Sequence, residues 1–297
     1  MSLRQVPLET LNAADKWGFV ADLGDIFEQA PWVAEAVFWQ RPFAKLASLY
    51  EAMTREVDAA DQAQQLALIN AHPDLAGRAA RQGSLSAASQ SEQSSTGLDR
   101  LSDDEFDTFH RLNEGYRSKF GFPFIICVRR HSKDSILRQF EHRLRNGKDA
   151  EIATALAEIA RIAALRLDQR VSAPDRLQVH GRLSTHVLDT HSGRPAAGLA
   201  VELRELADAG DDRLIAHATT NADGRTDAPL IHQRPVPIGT YELRFAVGDY
   251  FARQQVPLAA PRFLDIVPVR FSVAEPEGHY HVPLLVTPWA YSTYRGS

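Results

Sequence analysis

Two periodicities divide the chain. Between about residues 10 and 170, apolar residues recur every three or four positions, the spacing of one face of an α-helix. Trp32, Val33, Ala36, Val37 and Phe38 follow Pro31, a favoured first helical residue, and Phe43, Leu46, Leu49 and Met53 continue in the same manner. Ser102-Asp103-Asp104-Glu105 reads as a capping box opening a helix with Phe106, Phe109, Leu112 and Tyr116, which stops near Gly121. After Gly147, Ile152, Leu156, Ile159, Ala163 and Leu167 mark the clearest helix. The serine-rich stretch Ser84 to Thr96 reads as a flexible loop on composition, and no alternating strand stands out in this half. From residue 177 the period becomes two. The predicted strands are Leu177–Val187, Leu199–Leu206, Arg213–Thr219, Thr240–Val247, Arg262–Val273 and His279–Val286. They are punctuated by Gly, Pro and Asn, with a strong turn at Asn221-Ala222-Asp223-Gly224, and their spacing suggests a sandwich. The change falls in a short polar segment containing Pro174. The expected organisation is therefore a multidomain chain: an all-α domain over 1–170, a linker over 171–176 and an all-β sandwich domain over 177–297.

Composition adds mostly exclusions. The 297 residues suffice for two cores, and 44% hydrophobic with 24% charged residues is an ordinary globular mixture. A formal charge of −5 offers no electrostatic case for nucleic acid or an anionic membrane. The single cysteine, Cys127, lies in the apolar run Phe122 to Val128, which excludes an intrachain disulfide and fits a reducing compartment. The first residues lack a secretory apolar region, no segment has the roughly 20 apolar residues that span a bilayer, and Arg295-Gly296-Ser297 is no peroxisomal address. A cytoplasmic protein is expected.

In the helical half, His72 precedes Pro73, so the helix over Gln62–Asn70 should end there and His72 should project from a turn. An imidazole so placed either meets a substrate, where its ordinary pKa near 6.5 suits proton transfer, or merely caps the helix at the surface. Ser89-Gln90-Ser91-Glu92-Gln93 sets a carboxylate among hydroxyls and amides, and Arg166 sits at the edge of the last helix's apolar face. An arginine there either snorkels to water or is held in a pocket against an anion. Together, His72-Pro73-Asp74-Leu75-Ala76-Gly77, Ser89 to Gln93 with Gly97-Leu98, Leu112-Asn113, Tyr116, and Lys119-Phe120-Gly121-Phe122-Pro123-Phe124-Ile125 resemble the signature of 2-oxo-4-hydroxy-4-carboxy-5-ureidoimidazoline (OHCU) decarboxylase. Thr96 stands where that family usually has alanine. The resemblance implies an all-α enzyme producing (S)-allantoin, with His72 as catalytic acid and Glu92 and Arg166 completing the polar site. It further implies that Pro73, Ser89, Gln90, Ser91, Gln93 and the backbone of Phe124, Ile125, Ile126, Cys127 and Val128 bind substrate. The substrate's imidazoline ring can itself take the electrons left by departing carbon dioxide, so no cofactor is expected.

In the second half, alternation puts His279 and His281 on one strand face. With His186 they invite a zinc hypothesis, but a His-x-His pair is a weak signal and no acidic ligand is placed beside it, so no metal is expected. Ser184-Thr185-His186-Val187-Leu188-Asp189, Thr220 to Gly224 with Arg225, Gly278 to Leu285, and Tyr291 to Ser297 resemble the transthyretin-related family. Within it they are similar to 5-hydroxyisourate hydrolase, since the hormone-carrier branch lacks the closing Tyr294-Arg295-Gly296-Ser297. The resemblance implies a catalytic set of His186, Arg225, His281 and Ser297, with Tyr294 binding substrate, His281 preferred for activating water and His279 structural. It also implies a homotetramer organised by residues 177–297. The hydrolase's product is the decarboxylase's substrate, so the two resemblances point to one bifunctional, cofactor-free enzyme of uric acid breakdown whose partners are small molecules. The competing readings are a transthyretin-like carrier fused to a helical module, and a chain with only one active domain.

Overall fold

The computed structural model describes residues 5–76, 86–208 and 212–296. Its contacts divide the chain into two units, residues 1–129 with 136–179 and residues 130–135 with 180–297.

The first unit is helical: α1 (Leu8–Ala13), α2 (Lys16–Leu23), α3 (Pro31–Val37), α4 (Leu46–Ala59), α5 (Gln62–Asn70), α6 (Ala87–Ser95), α7 (Asp103–Phe120), α8 (Lys133–Arg143, whose first turn falls in the second unit) and α9 (Lys148–Arg170). Local chemistry sets the ends. Ser102 and Glu105 form the predicted capping box, and α7 stops at Gly121, whose φ of 82° suits a residue without Cβ. The loop expected over Ser84 to Thr96 is a helix where it is described: Ser86 caps α6 by accepting from the Ser89 N–H. Serine-rich composition hid it, because its face carries Ser89 and Gln93 where a core helix carries leucines. Helix α9 buries Ile152, Ala155, Ile159, Ala163 and Leu167 against the core, together with Glu151, Glu158, Arg166 and Asp168. Four buried ionisable residues on one helix each require partners, and those of Glu158 and Arg166 bear on the site described below.

Residues expected as linker are part of this unit. Val171–Ser172 (β2) pairs in parallel with Val6–Pro7 (β1), the Asp175 carboxylate accepts from the Leu46 and Ala47 N–H groups at the start of α4, and Leu177 and Val179 join the helical core.

The second unit is a two-sheet sandwich. One sheet has the order β11 (Tyr291–Thr293), β10 (His279–Val286), β3 (Gly181–Asp189), β4 (Arg194–Pro195), with β7 (Ile231–Arg234) also on β3. The other runs β6 (Arg213–Thr219), β5 (Ala200–Leu206), β8 (Gly239–Ala246), β9 (Ile266–Val273). Strands β3 and β10 pair in parallel, with Ser184 opposite His281 and His186 opposite Pro283. Their inward residues, Leu183 and Val187 on β3 and Tyr280, Val282, Leu284 and Val286 on β10, enter the core, which turns Ser184, His186, His279 and His281 to the other face. The segment expected to be strand through Val247 turns instead into α10 (Val247–Arg253), burying Val247, Tyr250 and Phe251 at helical spacing. Residues 130–135 join this unit through backbone bonds from Ser132 N–H to Ile238 O (2.9 Å) and from Ile238 N–H to Arg130 O (2.8 Å).

Two candidate active sites

In the helical unit, α5 ends before the His72–Pro73 step as predicted, and the imidazole folds back under the helix instead of reaching the surface. It is 6% exposed, and Nδ1 lies 3.0 Å from the Leu68 carbonyl. A carbonyl only accepts, so Nδ1 carries the proton and Nε2 the lone pair in the neutral ring. The turn beyond is pinned by the Ala76 N–H donating to Gln93 Oε1 (3.0 Å) and Asn113 Nδ2 donating to the Leu75 carbonyl (2.8 Å). Gly77, last residue of the predicted motif, lies outside the described residues.

Helix α6 faces His72 with Ser89, Glu92 and Gln93, spaced as one helix side demands. They line a cleft with His72, Pro73, Leu75, Phe124, Ile125, Ile126, Val128 and Ile162. Gln90 and Ser91 do not join them. Both are exposed on the opposite side of α6, where the helical period puts them. Cys127 is buried but does not line the cleft. Its N–H donates to Glu158 Oε2 (2.8 Å), while the Ile125 carbonyl accepts from Arg143 Nη1 (2.6 Å), so α8 and α9 brace the apolar wall from behind.

Arg166 does not line the cleft either. Its guanidinium meets Glu92 with two parallel bonds (Nε to Oε1, 2.8 Å; Nη2 to Oε2, 3.0 Å), and reaches Glu28 Oε2 (2.9 Å), Ser89 Oγ (3.4 Å) and the Asp25 carbonyl (3.5 Å). Those contacts occupy its donor fork. Of the two sequence readings, snorkelling to water or being held in a pocket against an anion, the structure shows the second, with Glu92 and Glu28 as the anions. Glu28, absent from the sequence expectations, is the second counter-charge and also accepts from Ser89 Oγ (3.1 Å). Burial opposes the Glu28 charge, but Arg166 and hydrogen bonds from Ser86 and Arg166 outweigh it and hold the pKa below the ordinary value. Burial works against the Arg166 charge too, and Glu92 and Glu28 hold its proton. Burial pushes His72 down to about 4, the Arg166 charge adding to it against the Leu68 bond and the Glu28 charge. The cleft therefore presents a neutral imidazole at neutral pH.

In the sandwich, the turn predicted at Asn221–Gly224 brings Arg225 beside His186, the two residues bridging as isolated β partners. Asn221 Oδ1 accepts from the Asp223 and Arg225 N–H groups. Gly224 has φ 72°, and a Cβ there would lie 2.3 Å from the Val187 carbonyl, so only glycine fits. His281 stands on the adjacent strand with Ser184 Oγ 3.0 Å from its Nδ1 and 3.4 Å from His279 Nε2. The chain's closing segment returns over it: the Gly296 N–H donates to the His281 carbonyl (2.8 Å), and a Cβ on Gly296 would lie 2.6 Å from His281 Cδ2. Tyr294 is 57% exposed, and Ser297 lies outside the described residues. Burial lowers the His281 pKa, followed by the charges of Arg225, His279, His186 and Arg182. Burial likewise lowers His186, then Arg225, against Asp223. Both imidazoles sense the Arg225 charge, and His281 senses His186 as well. Among the described residues no group of three or more His, Cys, Asp or Glu side chains is arranged to hold a metal ion.

Comparison with known proteins fits this division. A family model for OHCU decarboxylase matches residues 12–168, and one for the HIUase/transthyretin family matches residues 183–296. An OHCU decarboxylase of Halalkalicoccus jeotgali is 42% identical over 176 residues, covering 59% of this chain and 98% of that protein. A 5-hydroxyisourate hydrolase of Deinococcus radiodurans is 56% identical over 119 residues, covering 40% and 98%. The chain belongs to both families. The crystal structure of (S)-allantoin synthase is 33% identical with a TM-score of 0.52, and the match covers 98% of this chain and all of that one.

In the first unit, an OHCU decarboxylase family member, the Thr96 hydroxyl is buried and satisfied, donating to the Gln93 carbonyl (3.0 Å). Sequence reasoning missed Glu28 because it stands alone between helices, Ile26 and Phe27 before it and Ala30 after. The one available signal was a charge inside an apolar run. In the HIUase/transthyretin part it passed over Ser184 and Arg182 as sites, although both share a strand face with His186.

Proposed function

We propose that this chain hydrolyses 5-hydroxyisourate to OHCU in the sandwich and decarboxylates OHCU to (S)-allantoin in the helical unit. Membership of both families across nearly the whole chain supports the pair of reactions, and the observation that carries the chemistry is a neutral histidine in each site. In the sandwich, His281 is the base that takes a proton from water, His186 assists, and Arg225 holds the oxygen-rich edge of the substrate and stabilises the developing oxyanion. In the helical unit, His72 starts with a free lone pair on Nε2, so a bound carboxylate must first raise its hold on a proton by charge. Substrate thus arms the catalytic acid that protonates the carbanion on one face, while Glu92 and Ser89, held by Arg166 and Glu28, orient the ring. The chain order is the reverse of the reaction order.

The assembly is proposed to be a homotetramer built through residues 177–297, consistent with the exposed aromatic rings of Trp289, Tyr291 and Tyr294 in the closing segment. A cytoplasmic location is part of the same proposal; among the described residues no helix is long and apolar enough to cross a membrane. The test is to mix the purified chain with freshly prepared 5-hydroxyisourate and follow absorbance and circular dichroism together. Enzyme-dependent decay followed by prompt appearance of dextrorotatory or levorotatory signal of a single sign is expected. Decay without optical activity would leave only the hydrolase, and no acceleration of decay would refute the reading of the sandwich.

A further inference from the structure

The histidine face of the sandwich holds a hydrogen-bonded chain of three side chains. Ser184 is buried, and its hydroxyl lies between His281 Nδ1 (3.0 Å) and His279 Nε2 (3.4 Å). The parallel register puts Ser184 directly opposite His281, with His279 two residues earlier on the same face, opposite Arg182. His279 is exposed to solvent. A hydroxyl both donates and accepts, so it can take a proton from one imidazole while giving its own to the other.

We propose that Ser184 and His279 extend His281 into a proton path that runs from the attacking water to solvent. This rests on His281 as the base. In the neutral ring with hydrogen on Nδ1, Nε2 is free to take a proton from water. As Nε2 gains that proton, Nδ1 gives its own to Ser184 Oγ, and the Ser184 hydroxyl gives its proton to His279 Nε2. Hydroxide adds to the substrate carbonyl, His281 ends neutral with its hydrogen on the other nitrogen, and the positive charge rests on His279 at the surface. The charged groups facing His281 are Arg225, His186, His279 and Arg182. All four carry or can carry positive charge, so keeping a proton on His281 itself is unfavourable. The path reverses when the leaving nitrogen is protonated. Its consequence is that His279, taken from the sequence as structural, is a positioning and relay residue.

The test uses the full chain with Ser184→Ala, Ser184→Thr, His279→Gln and, as reference, His281→Asn. For Ser184→Ala and His279→Gln, kcat for hydrolysis should fall roughly 10- to 100-fold with KM little changed, within the range of general acid–base contributions. The Thr variant, which keeps the hydroxyl, should recover most of the loss, and small imidazole buffers should rescue His279→Gln. In mixtures of light and heavy water, the rate of the natural chain should curve with deuterium fraction, as expected for more than one proton in flight, and Ser184→Ala should give a straight line. Unchanged kcat and unchanged curvature in the Ala and Gln variants would overturn the path. So would equal losses in the Ala and Thr variants, which would mark a packing role. If His281→Asn is inactive while Ser184→Ala and His279→Gln are not impaired, only the path fails; if His281→Asn stays active, the base assignment itself fails.

Discussion

Neutral histidines set the behaviour of single residues in both sites. His72→Gln should abolish stereospecific decarboxylation and leave the decay of 5-hydroxyisourate unchanged; equal slowing of both steps would contradict independent sites. His72 also ties stability to pH. Its native pKa, about 4, lies below the ordinary 6.5, so between those values the unfolded chain binds the proton more tightly. Stability is lost as pH falls from 6.5 toward 4, and the Gln variant should show a shallower loss in thermal melts over that range. In the sandwich, burial and then Arg225 depress His186 and His281. Arg225→Gln should therefore move the acid limb of the kcat/KM profile to higher pH, alongside any loss of rate; an unmoved limb would mean that the guanidinium does not act on these rings. His72, Ser89, Glu92, His186, Arg225 and His281, which the structure gathers into the two candidate sites, were readable as candidates because each sits in a short motif. Glu28 was not: its importance comes from a guanidinium far along the chain, which no local pattern shows.

Elements were legible where burial and period agree. Strands β6 and β10 appear at the expected bounds, β10 because every second residue is buried, and α7 begins at the predicted capping box. Helix α6 failed that test, since its buried face carries Ser89 and Gln93, and α10 was hidden because a helix of 7 residues offers barely two turns of pattern. The closing segment is the element most exposed to perturbation. Gly296 lies against the His281 ring with no space for a methyl group, so Gly296→Ala must shift either the segment or the imidazole. A displacement of about 1 Å in a catalytic group can cost on the order of 10²-fold in rate. A hydrolase loss of that size with intact decarboxylation is expected in the paired optical assays. Deleting 295–297 should be at least as damaging, and full hydrolase activity in either variant would remove the closing segment from the site.

At the scale of the whole molecule, light scattering should give four times the chain mass of 33.0 kDa, and a fully active monomer would refute the proposed assembly. The pairing of β3 with β10 has a further consequence for how the molecule is made. One edge of β3, residues 181–189, is completed only by residues 279–286, and Gly296 then closes over His281. Synthesis proceeds from the N-terminus, so the helical unit has nearly all its core available early, whereas β3 must wait with an unpaired edge for almost the entire sandwich to be translated. A bare strand edge is a template for wrong partners. The nascent chain is thus at its most vulnerable while the hydrolase half is being born, and a ribosome stalled before residue 279 would carry a finished helical unit beside a sticky, half-built sheet.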